Sequence, residues 1–185
     1  MKINFTQYGS LEITAEGITT IGTDAVVNAA NEGLYPGSGV CGAIFRAADY
    51  NKLNDACRAI GHCDTGKAVT TPAFGLPGAM YIIHAVGPMW KGGTQGEPEL
   101  LYNAYYNSLR QAHENACGSI GFPLISAGVF GYPKEEAWKV ALKACTDYFR
   151  KHPTRHLDIK FAVPGDDNRA LGTKILAEYV QNWGK

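Results

Sequence analysis

The stretch from Asp24 to Asp49, DAVVNAANEGLYPGSGVCGAIFRAAD, restricts this chain more than any other. It opens on Ala25-Val26-Val27-Asn28, suited to a buried strand, and closes on Val40, Ala43, Ile44, Ala47 and Ala48, which recur at helical spacing. Between them Pro36-Gly37-Ser38-Gly39 is a loop without bulk. A glycine turn that carries a strand into a helix exposes the first unpaired N–H groups of that helix. Glycine also lets a ligand approach the backbone, so the geometry favours a phosphate. The plainer reading is a tight connection whose glycines serve packing. Asn28-Ala29-Ala30-Asn31 adds two amides at the carboxyl end of the strand, where open α/β sheets place ligand crevices. Amides suit sugar hydroxyls.

Four motifs follow in order: VVNAANEGL and GSGVCGAI within this stretch, then YIIHAVGP at 81–88 and FPLISAGVFGYP at 122–133. Together they resemble the macro domain, from about Gly17 to about Val180. The resemblance implies a three-layer α/β/α domain with a mixed central sheet that binds ADP-ribose or its derivatives, bound or carried on a protein. Several members hydrolyse ADP-ribosyl esters or O-acetyl-ADP-ribose. The residues carried over as ligand-binding are Gly17, Ile18, Ala29, Asn31, the run Gly37, Ser38, Gly39, Val40 and Cys41, and the run Ser126, Ala127, Gly128, Val129 and Phe130. Phe130 is expected over the distal ribose, and the loop Pro164 to Asn168 at the adenine end.

Three positions, in two motifs, depart from the family. Where it has Gly-Asp-Ile-Thr, this chain reads Glu16-Gly17-Ile18-Thr19, so the aspartate that meets the adenine amino group becomes Gly17. Glu16 either substitutes for it or is a solvated acid. Where the hydrolases carry Gly-Gly-Gly-Val-Asp-Gly-Ala-Ile-His, Cys41 and Phe45 replace the acid and the histidine. A carboxylate base at that place is therefore lost. Three routes remain open: Cys41 as thiolate nucleophile or base at a helix N-terminus; hydrolysis assisted by the bound diphosphate, with Asn31 positioning the ribose; or binding without catalysis. Hydrolysis is the expectation, with Asn31 and Cys41 as catalytic candidates.

Composition sets the remaining limits. At 185 residues and 45% apolar content the chain suits a single domain spanning 1–185. Seventeen basic and seventeen acidic side chains cancel, which argues against nucleic acid and anionic membranes as partners. Phosphate binding must then rest on backbone and dipole. The five cysteines are odd in number and scattered, as suits reduced thiols in a cytoplasm. No stretch has the length of a signal peptide core or a membrane span. No cofactor is expected, nor a metal, because His62 and Cys63 lack a partner pair at zinc spacing. A monomer is expected.

Along the chain, Gly9-Ser10 is read as the two-residue turn of an opening β-hairpin. Strands are expected at 68–73, 80–86, 119–126 and 157–163, the third despite Pro123. His84, inside an apolar strand, reads as a satisfied core group. Helices are expected after Pro98, on Leu101, Tyr105, Leu109, Ala112 and Ala116; after Pro133, on Ala137, Val140, Ala141, Ala144, Cys145 and Tyr148; and at the end, on Leu171, Ile175, Tyr179 and Trp183. Tyr102, Tyr105 and Tyr106 read as core.

Overall fold

The computed structural model describes residues 1–183. Strands β1 (Lys2–Asn4), β2 (Gly9–Thr14), β3 (Ala25–Ala29), β4 (Ala68–Pro72), β5 (Tyr81–Ala85), β6 (Ser119–Phe122) and β7 (Leu157–Ala162) form one sheet in the order β1-β2-β7-β6-β3-β5-β4. The five interior strands run parallel, and the edge strands β1 and β4 run antiparallel to their neighbours. Five helices cover it: α1 (Gly39–Ala47), α2 (Tyr50–Ile60), α3 (Glu97–Glu114), α4 (Lys134–Lys151) and α5 (Asp166–Gln181). None of the described helices is long and apolar enough to cross a membrane.

Strand side chains alternate between faces, and here both faces are buried. Val27, Ile83, Ile120 and Ile159 enter one core, packed by Leu101, Tyr105 and Leu109 of α3 and by Trp138, Leu142 and Phe149 of α4. Val26 and Ile82 point the other way, to Ile44 and Phe45 of α1 and Leu53 and Cys57 of α2. A helical layer on each face of a mixed sheet gives the expected three-layer α/β/α architecture.

The hairpin is present but its turn is not where the sequence put it. Lys2 pairs with Glu12 and Asn4 with Ser10, so the chain reverses through one turn of 3-10 helix at Thr6–Tyr8, and Gly9-Ser10 belongs to β2. Gly9 is needed for another reason: at φ 128° it lies so close to the Leu157 carbonyl that a Cβ would come within 2.0 Å of its oxygen. Ala116, expected on the α3 face, lies beyond that helix with φ 55°, and Trp183 lies beyond α5. Trp183 packs edge-on against Phe5 at 4.9 Å and stays part of the core.

Pro123 also corrects the expected 119–126 strand. β6 ends at Phe122, because proline cannot donate to the ladder. β6 and β3 pair only at Ala25–Ile120 and Val26–Gly121, whereas β6 stays with β7 as far as Phe122–Phe161. From Val27 onward β3 runs alone on that side. The sheet splits there, between the strands where successive connections leave in opposite directions, and a crevice opens at their carboxyl ends.

Candidate functional site

The crevice has a volume of about 440 Å³. On one side stand Gly37 to Cys41, leading into α1; on the other stand Pro123 to Ser126 and Gly128 to Phe130, which follow β6; Ala29 to Asn31 and Gly87 close its base. No charged side chain is among the lining residues. The two glycine loops face one space.

Backbone donors dominate this space. Ser38 is the N-cap of α1, yet no side chain caps that end and no acid sits in its first turn. Such a helix start keeps partly positive N–H groups free for an anion. Across the crevice, Ala127 N–H donates to Leu124 O (3.3 Å), Gly131 N–H to Gly128 O (3.0 Å) and Tyr132 N–H to Ser126 O (2.9 Å), bracing the loop. Among the described residues, the N–H groups of Gly128, Val129 and Phe130 donate to no protein acceptor. Ser126 adopts φ 64°, a left-handed conformation that costs a non-glycine residue about 1–3 kcal/mol. Strain of that kind persists where surrounding structure fixes the backbone for a purpose. Trp90 N–H donates to Phe130 O (2.8 Å), tying the loop to the segment after β5.

Asn31 shapes the first loop. Its Oδ1 accepts from Tyr35 N–H and its Nδ2 donates to Tyr35 O, both at 2.9 Å. One amide hydrogen and one lone pair remain for a ligand. Cys41, buried, has two weak contacts, both with protein: Sγ–H donates to Tyr35 O (3.6 Å) and Sγ accepts from Asn28 Nδ2 (3.7 Å). Phe45, which stands where the family has a histidine, is buried in the second core edge-on to Tyr50 at 5.7 Å and does not reach the crevice.

Behind Cys41 lies a buried polar chain. Asn28 Nδ2 donates to His84 Nδ1 (3.1 Å), so the imidazole carries its hydrogen on Nε2 and offers it to Thr71 Oγ1 (3.0 Å), with Cys57 Sγ alongside at 3.8 Å. Burial pushes the His84 pKa down to about 4 and the Cys57 thiol up to about 11. His84 is thus a neutral, hydrogen-bonded core group, as the strand context suggested. The Asn28 Oδ1 and Ser126 Oγ atoms are buried without a partner. Each such atom costs about 1–3 kcal/mol.

Of the residues anticipated from sequence, Ala29, Asn31, Gly37, Ser38, Gly39, Val40, Cys41, Ser126, Gly128, Val129 and Phe130 all line the crevice. Ala127 sits within the second loop but outside the lining. Gly17 and Ile18 follow β2, farther along the same edge of the sheet: Gly17 O accepts from Thr20, and Ile18 packs into the second core. Sequence reasoning left out Ala30, Gly87, Pro123, Leu124 and Ile125. A signal existed for Gly87, inside the quoted YIIHAVGP stretch. Glu16 is exposed, and its N–H donates to Thr14 Oγ1 (3.3 Å). His62 Nε2 lies 2.9 Å from Asp64 Oδ1, and no group of three or more metal-ligating side chains occurs among the described residues.

Fold and site together define a three-layer α/β/α protein with a ligand crevice at the carboxyl ends of its parallel strands. Comparison with known proteins narrows that class. The sequence model of the Macro domain matches residues 27–141. The chain is 40% identical over 180 residues to the O-acetyl-ADP-ribose deacetylase of Cronobacter sakazakii, covering 95% of this chain and 98% of that protein. Among solved structures, the Oceanobacillus iheyensis macrodomain with ADP superposes with a TM-score of 0.89 at 33% identity, over 98% of this chain and 97% of that one. The Trypanosoma brucei macrodomain in complex with ADP-ribose gives a TM-score of 0.79 at 31% identity, over 90% of this chain and 68% of the other. The chain belongs to the macro domain family.

Proposed function

We propose that this protein is a single macro domain that binds ADP-ribose in the crevice and hydrolyses ADP-ribosyl esters, on proteins or in O-acetyl-ADP-ribose. The observation that carries the reading is the convergence of two uncapped backbone loops, Gly37–Cys41 and Gly128–Phe130, on one space free of charged side chains. They hold the diphosphate between them through N–H groups and the α1 dipole. Ligands of relatives agree: the Trypanosoma brucei macrodomain was solved with ADP-ribose, and the relative from Cronobacter sakazakii is an O-acetyl-ADP-ribose deacetylase.

Catalysis in this crevice has to proceed without a carboxylate base, since none is among the lining residues. A bound phosphate oxygen takes the proton from water, Asn31 orients the distal ribose with its remaining amide hydrogen, and fixed N–H donors stabilise the charge that develops. Cys41 contributes to the wall through its bonds to Tyr35 and Asn28. The missing carboxylate also favours a second reading, an ADP-ribose binder without turnover.

Calorimetric titration with ADP-ribose, AMP and a short RNA tests the binding. ADP-ribose is expected to bind and RNA to give no heat; binding of RNA alone would overturn the assignment. Release of acetate from O-acetyl-ADP-ribose by the purified protein then separates hydrolase from binder. Five free, buried cysteines support a reducing compartment, the cytoplasm, as its location, and a monomer is proposed with it.

A further inference from the structure

The crevice does not end at Phe130. Asn31, Gly87 and Phe130 form a shared wall, and beyond it lies a second cavity of about 540 Å³. Its floor is the segment after β5, Val86 to Met89, and its far side is the approach to α3, with Gln95 and Leu100.

Two loops are fixed over this cavity from opposite sides. The buried Glu97 carboxylate accepts from the N–H groups of Lys91 (2.8 Å), Gly93 (3.2 Å) and Gln95 (2.7 Å), which pins the 91–96 loop. Glu32 Oε1 accepts from Thr65 N–H (3.1 Å) and Thr65 Oγ1 (2.8 Å), which fastens the loop before β4. The walls are therefore formed before any ligand arrives, and binding there has little backbone to order.

The wall chemistry differs from that of the main crevice. Met89 is 57% exposed and, with Leu100, offers an apolar strip. Three charged side chains line this cavity: the Glu32 and Glu97 carboxylates are engaged by the donors just named, while Lys91 stands exposed at the rim and makes no ion pair among the described residues. An acetyl group, two carbons long, would leave most of this space empty. The volume falls in the range of about 300–1,000 Å³ typical of whole ligand sites.

We propose that this second cavity receives the peptide that carries the ADP-ribose, with an apolar side chain of that peptide on Met89 and Leu100 and an acidic neighbour facing Lys91. The proposal rests on ADP-ribose occupying the main crevice, because only then does a substituent passing Asn31 and Phe130 enter the second space. It makes Met89, Lys91 and Leu100 determinants of which conjugate is chosen, separate from the groups that hold the nucleotide.

The test uses calorimetry on the whole protein and on Met89→Glu and Lys91→Glu variants, both at exposed positions. The ligands are free ADP-ribose and a short peptide, apolar and acidic around the attachment point, that carries ADP-ribose through a hydrolysis-resistant bond. The unmodified protein is expected to bind the conjugate about tenfold more tightly than free ADP-ribose. Each variant is expected to lose about fivefold for the conjugate and stay within about twofold for free ADP-ribose. A conjugate no tighter than free ADP-ribose, or variants that lose both ligands equally, would overturn the second site. If the unmodified protein binds neither ligand, it is the crevice assignment that has failed, and the two failures are told apart by the free ADP-ribose titration.

Discussion

Gly39 and Gly128 face the same space for different reasons, and the difference decides which is the better probe. Gly39 has φ 58°, so any side chain there strains the backbone, by about 1–2 kcal/mol. At Gly128 a Cβ would meet nothing within 4 Å and the backbone is not left-handed, so a side chain projects into open space. Gly128→Val is expected to leave the urea midpoint unchanged and to weaken ADP-ribose binding by more than about tenfold; Gly39→Val is expected to lose both affinity and stability. Undiminished affinity in the Gly128 variant, read by calorimetry, would count against the second loop as a phosphate grip. These two glycines were legible in the sequence because a strand, a bare turn and a helix sit side by side there. Gly87 stood inside a quoted stretch, but its role was not legible, since it is set from far along the chain: a Cβ at 87 would come 2.2 Å from Ser126 Oγ. Asn31 was legible as an amide at a strand end, but not that both its polar atoms hold the Tyr35 backbone.

At the level of elements, periodicity located α1, α3, α4 and α5 and most strands, and erred where one residue acts through distant geometry. The reversal at Thr6–Tyr8 carries no glycine, while Gly9 answers to Leu157 across the sheet. Pro123 was visible, but its consequence, the parting of β6 from β3, depends on which strands are neighbours, and sequence pattern does not state that. The α4–α5 contact shows the same limit. Gly172 lies against the indole of Trp138, where a Cβ would come within 2.4 Å of the ring. That ring has no room to move, being fully buried and bonded through Nε1 to Asn168 Oδ1 at 2.9 Å. Gly172→Ala therefore overpacks the joint and is expected to cost about 1–3 kcal/mol, seen as a lower urea midpoint. ADP-ribose affinity should not change, since neither residue lines the crevice.

Over the whole molecule, the buried polar chain of Asn28 and His84 lies on one face of the sheet, that of Val26 and Ile82, inside the core covered by α1 and α2. The His84 pKa is about 4 in the folded protein against an ordinary value of 6.5, so the unfolded chain takes up its proton first as the pH falls. Stability from this group is fully present above pH 6.5 and is lost progressively toward pH 4. Between pH 7 and pH 5 the loss is expected to be about 2 kcal/mol. Urea denaturation at the two pH values measures it, and nitrogen chemical shifts should show a neutral His84 ring at both. The three-layer architecture was legible from the order of strand and helix patterns together with the family resemblance. The second cavity was not, because its walls come from segments well separated in the chain that no single motif unites. The split of the sheet beyond Val26 has one more consequence. The opening is made by main chain, so a side chain in its wall, such as Cys41, can be exchanged without removing the backbone that lines it: affinity for the nucleotide and the power to cleave it are free to vary separately.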